Sequence, residues 1–374
     1  MPSYRSLLPG DPAPWFHARA TSREDFAFDT IAGRYLVLCF FASAGDVRGR
    51  AAVEAALAQP RFYDDEFASF FGVTIDPADE TRRRVAGRIP GYRFFWDFDG
   101  QVSRLYGAIP HDADPRKGGV PLRRMWVVLD PTLRVMKVIP FLKDGSDAQA
   151  LETYLGGLAR PESFAGFEVP APILILPDVF EADFCRTLVA LYERHGGTES
   201  GFMEDVDGRT VLRQGHDHKR RRDYEIVDPA IMNQARSRIA RRVAPEILKV
   251  HQFNATRMER YLIARYSAED GGHFRGHRDN TTKGTAHRRF AVSVNLNDDY
   301  EGGEIGFPEY GPRSFKPPVG GAVVFSCSLL HAVSRMRRGH RYAFLPFLYD
   351  EEASRVREAN NVFLGEDVDR YEQG

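Results

Sequence analysis

Between Arg160 and Pro172 the rule that places apolar residues along this chain changes, so one packing scheme cannot serve both halves. Before that point, Tyr35–Phe41 is an unbroken apolar run of strand length, which needs cover on both faces of its sheet. Phe67–Ile75, closed by Asp76-Pro77, and Met125–Leu129 repeat the pattern, and Ala51–Leu57 between them reads as helix. Arg134–Pro140 returns on Met125–Leu129 through Asp130-Pro131-Thr132 as a hairpin. Ser146–Gln149 then opens a helix that Gly156-Gly157 stops. This alternation predicts a compact α/β domain.

Beyond Pro172 the pattern is different. Two helical stretches come first, Glu181–His195 and Asp228–Ala244, the second with Ile231, Ala235, Ile239 and Val243 on one stripe. After Tyr261 short strands follow one another between Gly, Pro, Asn and Asp clusters: Tyr261–Tyr266, Arg289–Asn297, Glu304–Phe307, Gly321–Ser326, His331–Met336 and Arg341–Tyr349. Such spacing predicts an antiparallel jelly-roll or barrel. The 374 residues suit two or three domains, and the composition shift selects two: 1–160 and 173–374, with 161–172 as linker.

Charge and cysteine usage narrow the function classes. Lys+Arg 51 against Asp+Glu 52 leaves a net charge of −1, so no global basic field exists to bind nucleic acid or an anionic membrane. No apolar run is long enough to span a bilayer, and the start lacks the apolar core of a secretory signal. Cys39, Cys185 and Cys327 are few, odd in number and far apart, a reduced, cytoplasmic pattern. No sequence-specific nucleic-acid or membrane partner is expected.

The chemistry is carried by His277-Arg278-Asp279. On an extended strand, residues two apart project from one face, so this imidazole and carboxylate point into one space. A second histidine from a distant strand would complete a facial triad with open positions, as in non-haem Fe(II) oxygenases, and His331 is placed to be that ligand. Arg341, beginning the next strand after Arg338-Gly339, offers a fork for a carboxylate co-substrate. An isolated H-x-D is weak; the ordered set is what carries weight.

That set resembles the Fe(II)/2-oxoglutarate dioxygenases of the prolyl 4-hydroxylase type. The matching residues are Arg265-Tyr266, Gly272–Asn280, Val294–Phe307, Pro318–Phe325, His331–Val333, Gly339 and Arg341, with Pro172–Phe180 as the entry to the domain. The resemblance implies a double-stranded β-helix with supporting helices. It implies Fe(II) on His277, Asp279 and His331, the distal carboxylate of 2-oxoglutarate on Arg341, and Tyr266 lining the co-substrate pocket. It further implies O2 as co-substrate, L-ascorbic acid as an optional reductant, and hydroxylation of an unactivated C–H bond with release of succinate and CO2. The substrate is a protein or peptide side chain, or else a free amino acid or other small metabolite. Asn295 is a candidate polar contact to 2-oxoglutarate whose facing the sequence leaves open.

The first half is similar to peroxiredoxins, a thioredoxin-type fold, through Gly10–Pro14, Leu36–Phe41, Val73–Asp76, Asp99-Gly100, Tyr106-Gly107 and Arg124–Asp130. The turn where that family carries its nucleophilic cysteine reads Ala42–Arg50 and contains none, while Arg124 stands at the place of the activating arginine. Cys39 lies too early, inside the strand. The resemblance therefore implies a redox-silent accessory module, compatible with homodimerisation through this domain. A thiol peroxidase and a non-catalytic scaffold are the competing classes, the first opposed by the missing cysteine and the second by the complete ligand set.

Other clusters read more plainly. His216-Asp217-His218 beside Lys219–Arg222 reads as a solvated loop before a metal site, and its basic run, if it overhangs the barrel mouth, could recruit an acidic substrate. Arg236, Arg238, Arg241 and Arg242 read as a solvated helix face, His251, His273 and His287 as pocket-lining or surface residues, and Cys327 as a small buried residue.

Overall fold

In the computed structural model, which describes residues 3–368, 370 and 371, Tyr35–Ala42 is a strand with every residue buried. It is β3 of a seven-stranded sheet formed with β1 (His17–Ala20), β2 (Arg23–Ala27), β4 (Ala68–Thr74), β5 (Tyr92–Trp96), β6 (Met125–Leu129) and β7 (Val135–Pro140), in the order β2-β1-β5-β4-β3-β6-β7. Strands β3, β4 and β5 run parallel, and β6 and β7 turn back antiparallel as the expected hairpin. Parallel neighbours need crossovers, which α1 (Val47–Leu57) and α2 (Pro77–Thr81) provide; α3 (Gln101–Leu105) follows β5, and α4 (Ser146–Gly156) closes the unit. The mixed sheet with its closing hairpin and helix is the thioredoxin-type arrangement.

The tight turn from β3 into α1 depends on Gly49, because any Cβ there would collide with the Ser43 carbonyl. Residues through Pro170, together with Pro308–Gly311, form one compact unit; Ala171–Phe307 with the residues from Pro312 onward form the other.

In the second unit, β8 (Leu174–Leu176) and β9 (Thr198–Glu199) join a large antiparallel sheet with β13 (Arg222–Glu225), β14 (Arg257–Glu259), β15 (Leu262–Ser267), β17 (Phe290–Asn295), β20 (Ala322–Ser326), β22 (His340–Phe344) and β23 (Phe347–Tyr349). A smaller sheet has the order β12 (Lys219–Arg220), β16 (His273–His277), β21 (His331–Val333), β18 (Ile305–Gly306), β19 (Ser314–Phe315). These two sheets make the double-stranded β-helix. Phe184, Leu188 and Tyr192 of α5 (Ala182–His195) and Ala235 and Ile239 of α6 (Pro229–Arg242) share one buried core with Val292, Val294 and Phe344 of the large sheet. The helices are therefore supports, held by the apolar stripes that the sequence displays.

Several expectations need correction. His277 and Asp279 were expected on one extended strand, but β16 ends at His277 and Asp279 lies just past it, in the turn that follows. Arg341–Tyr349 is also two strands, broken at Leu345-Pro346, where proline has no N–H to give to a ladder. The second helix pattern is followed by α7 (Ala244–His251), and the last described stretch contains α8 (Glu351–Ala359).

A hairpin, β10 (Phe202–Val206) with β11 (Arg209–Arg213), stands as its own two-stranded sheet. It is tied down from two distant places in the chain. Gly284 N donates to Thr210 Oγ1 (2.8 Å), Gly365 N donates to the Thr210 carbonyl (2.8 Å), and Leu212 N donates to Asp367 Oδ2 (2.9 Å). Among the described residues, no helix is long and apolar enough to cross a membrane.

Candidate metal centre

Strands β16 and β21 pair antiparallel with His277 directly opposite His331, and Asp279 follows two residues after His277. The loop carrying Asp279 is anchored by its own N–H, which donates to the Cys327 carbonyl at 2.9 Å. Ligand atoms of His277, Asp279 and His331 all lie within 4.8 Å of one another, the one His/Cys/Asp/Glu group with such spacing among the described residues.

Second contacts fix both imidazoles. His277 Nδ1 lies 2.8 Å from the Arg275 carbonyl and His331 Nδ1 lies 3.1 Å from the Leu329 carbonyl. A carbonyl only accepts, so each Nδ1 is the donor and each Nε2 is left to face another partner. Those Nε2 atoms face the carboxylate: His277 Nε2 is 3.6 Å from Asp279 Oδ1, and His331 Nε2 is 3.4 Å from Asp279 Oδ2. Burial, reinforced by the neighbouring His331, pushes the His277 pKa well below its ordinary value and keeps that ring neutral. Two imidazoles and a carboxylate converging on one space are a donor set suited to a divalent cation. Phe274 stacks on His277 with ring centroids 3.5 Å apart and shields it.

On the large sheet, Tyr266 of β15 pairs in register with Arg341 of β22. Arg341 is 2% exposed; its Nη1 donates to the Gly303 carbonyl (2.9 Å) and its Nη2 to Ser293 Oγ (2.8 Å). No carboxylate among the described residues is ion-paired with it, which is unusual for a buried guanidinium. The Tyr266 hydroxyl accepts from Arg221 Nη1 at 3.5 Å.

Asn295 is fully buried and both of its N–H donors and one acceptor site are bonded within the protein. Its Nδ2 donates to the carbonyls of Asn297 (2.7 Å) and Pro317 (3.0 Å), and its Oδ1 accepts from the Tyr300 hydroxyl (2.8 Å). His216 is exposed and pairs with Glu199, whereas His218 packs edge-on against Phe202 and Phe274. His287 is buried against Glu259 (3.0 Å), and His251 lies over Phe290.

The basic run was expected to be solvated, and it is not. Lys219 and Arg220 form β12, paired with β16, and the side chains of Lys219 and Arg221 turn inward, leaving those residues 5% and 6% exposed. The period-2 alternation of a strand sends every second cation into the protein, which a run of like charges hides in sequence. Arg238 and Arg242 likewise pair with Glu181, and Arg238 covers Phe184, so half of the supposed solvated helix face is bound.

In the first unit, the turn after β3 carries Asp46 as the N-cap of α1, accepting from Arg48 N (3.0 Å) and Gly49 N (2.9 Å). Cys39 is fully buried within β3, and burial with nearby Asp147 raises its pKa well above the ordinary thiol value.

Comparison with known proteins agrees with this geometry. Residues 261–349 match the model of the 2OG-Fe(II) oxygenase superfamily. A PKHD-type hydroxylase of Gluconobacter oxydans (strain 621H) is 38% identical over 91 residues, covering 22% of this chain and 39% of that protein. The chain thus spans well under half the length of that curated relative. A prolyl hydroxylase of Trichoplax adhaerens, solved with a hypoxia inducible factor peptide fragment, aligns with 15% identity over 49% of this chain and 86% of its own, with a TM-score of 0.37. Peroxidoxin BcpB of Mycobacterium tuberculosis aligns with 19% identity over 41% and 99%, with a TM-score of 0.33. Residues 261–349, which carry Tyr266, His277, Asp279, His331 and Arg341, are a 2OG-Fe(II) oxygenase domain.

Proposed function

We propose that the second unit is an Fe(II)- and 2-oxoglutarate-dependent hydroxylase acting on an unactivated C–H bond of a protein or peptide side chain. The observation that carries this is the convergence of His277, Asp279 and His331 within 4.8 Å, in a domain that also buries Arg341 with no carboxylate partner among the described residues. Bound iron and 2-oxoglutarate supply the oxidising power, O2 being divided between the hydroxylated product and succinate, with loss of CO2. The protein's part is to hold, orient and exclude water.

In this reading His277 and His331 present Nε2 to the metal because the Arg275 and Leu329 carbonyls fix their tautomers, and Asp279 supplies the charge. Arg341 grips the distal carboxylate of the keto acid, and Tyr266 lines the same pocket. The first unit acts as a redox-silent accessory, supported by the burial of Cys39 and by the carboxylate of Asp46 at the N-terminus of α1.

The test is spectroscopic. Anaerobic protein with Fe(II) and 2-oxoglutarate should show a metal-to-keto-acid charge-transfer band, and adding O2 should release succinate faster with some member of a peptide and metabolite panel. No band in wild-type protein, at concentrations where Mn(II) also fails to bind, would end the proposal.

A further inference from the structure

Of the two buried cations of β12 and its continuation, Arg221 has a carboxylate of its own and Lys219 has none bonded to it. Arg221 lies against Asp223, Nε to Oδ1 at 2.7 Å and Nη2 to Oδ2 at 2.6 Å, and Ser200 Oγ also donates to Asp223 Oδ2 at 2.6 Å. Lys219 Nζ donates to Ser200 Oγ (2.8 Å) and to the Gly201 carbonyl. Thus the one carboxylate bonded within this group is committed to Arg221, and the partly exposed Arg260 also reaches it at 3.5 Å. An ammonium has three N–H donors, and Lys219 uses two of them on neutral oxygens. A buried ammonium lacking a bonded carboxylate is costly, and such costs are retained where a ligand relieves them.

Its position points to which ligand. Lys219 Nζ lies 4.8 Å from the centre of the Phe274 ring, and that ring stacks on His277. The Arg221 guanidinium reaches the Tyr266 hydroxyl. Lys219 is thus one aromatic ring away from the candidate ligand His277, and Arg221 touches the tyrosine assigned to the co-substrate. Burial first, and then the neighbouring Arg221, push the Lys219 pKa well below its ordinary value; Asp223 and Asp279 oppose this through space, and a divalent metal on Asp279 would reverse that carboxylate's local sign, so an incoming anion would be needed to hold the ammonium. Both carboxylates of 2-oxoglutarate already have assigned partners, the metal and Arg341, so the co-substrate does not account for a further cation.

Resting on the oxygenase reading above, we propose that Lys219, backed by Arg221, binds a carboxylate of the substrate, making the substrate class an acid. That carboxylate belongs either to an acidic residue of a peptide or to a free carboxylic acid.

The experiment uses the full chain loaded anaerobically with Fe(II) and 2-oxoglutarate, reading the charge-transfer band and then succinate release. Two matched probe pairs are titrated: L-glutamate against L-glutamine, and a short proline-containing peptide with one glutamate against the same peptide with glutamine. The acid of at least one pair should act at about tenfold lower concentration than its amide. The pair that discriminates identifies the source. In Lys219→Met that preference should vanish while half-saturation by 2-oxoglutarate stays within about twofold, and Lys219→Arg should restore part of it. If wild-type protein treats acids and amides alike in both pairs, the proposal is overturned without reference to any variant. It is equally overturned if Lys219→Met keeps the preference, or if that variant weakens 2-oxoglutarate about tenfold, which would assign the cation to the co-substrate. Failure of the band to form in wild-type protein instead removes the oxygenase reading, and this inference with it.

Discussion

Arg124 donates from Nη2 to Asp46 Oδ2 at 2.7 Å and from Nε to the Phe41 carbonyl at 3.0 Å, closing the turn between β3 and α1. A helix N-terminus and a guanidinium together favour an acidic group, and here the side chain of Asp46 takes that place. Asp46→Ala should therefore cost about 1 kcal/mol for the lost cap, with little more for an ion pair that is partly open to solvent. Urea denaturation followed by circular dichroism measures it; no change in stability would show that the turn is held elsewhere.

Thiol reagents should find nothing to modify in the folded protein. Cys39, Cys185 and Cys327 are all fully buried, and burial raises all three pKa values. A colorimetric disulfide reagent should label none of them until denaturant is added. Rapid labelling of one thiol under native conditions would contradict the described packing and revive a redox role for the protein.

Metal should stabilise the wild-type protein and not its ligand variants. A ligand at about 100 times its dissociation constant adds about 2.7 kcal/mol to the folded state. Differential scanning calorimetry with Mn(II) should show this gain in wild type and lose most of it in His277→Ala and His331→Ala. An equal gain in the variants would place the metal elsewhere.

Asn295→Ala should be a stability variant, with no direct effect on keto-acid binding. Three hydrogen bonds at a fully buried amide are lost, and the partners left unsatisfied cost about 2–3 kcal/mol in all. The contrast is Arg341→Met, which should weaken 2-oxoglutarate at least about tenfold. Calorimetric titration of both variants separates the roles. A large loss of 2-oxoglutarate affinity in a folded Asn295→Ala would return that residue to the co-substrate.

The two units should respond to acid with opposite signs. In the first, burial raises the Asp97 pKa to about 6, so its contribution to stability is present below pH 4 and is lost as the pH rises through 6. In the second, burial alone would raise Asp223, but Arg221 and Lys219 hold it at about 2, so its contribution is present above pH 4 and is lost toward pH 2. That loss amounts to about 2 kcal/mol. Hydrogen exchange at pH 6, 4.5 and 3 should show β5 and α3 gaining protection on the first step and β13 losing it on the second. Parallel loss in both units would refute the assignment.

The sequence displays local rules well and distant partners poorly. The buried run at Tyr35–Ala42 is visible because backbone periodicity alone determines it, whereas Asp279 lies in the turn past β16, so its nearness to His277 shows in sequence only as proximity and not as strand alternation. That His331 faces His277 across a ladder depends on a register formed over fifty residues of intervening chain, and only the ordered motif set makes it legible. The inward turn of Lys219 and Arg221 was hidden for the opposite reason. Four consecutive cations look solvated until strand pairing sorts them by parity. The commitment of Asn295 to two carbonyls and a tyrosine has no local signature at all.

The hairpin β10–β11 brings time into the description. Its Phe202 packs on His218, which borders the candidate metal centre, yet Thr210 and Leu212 are pinned by Gly365 and Asp367, about 155 positions later. On a ribosome, both strands of this hairpin emerge long before the segment that fastens them. That border is therefore among the last parts to settle, and a nascent chain paused short of residue 365 would hold the hairpin from the Gly284 side alone.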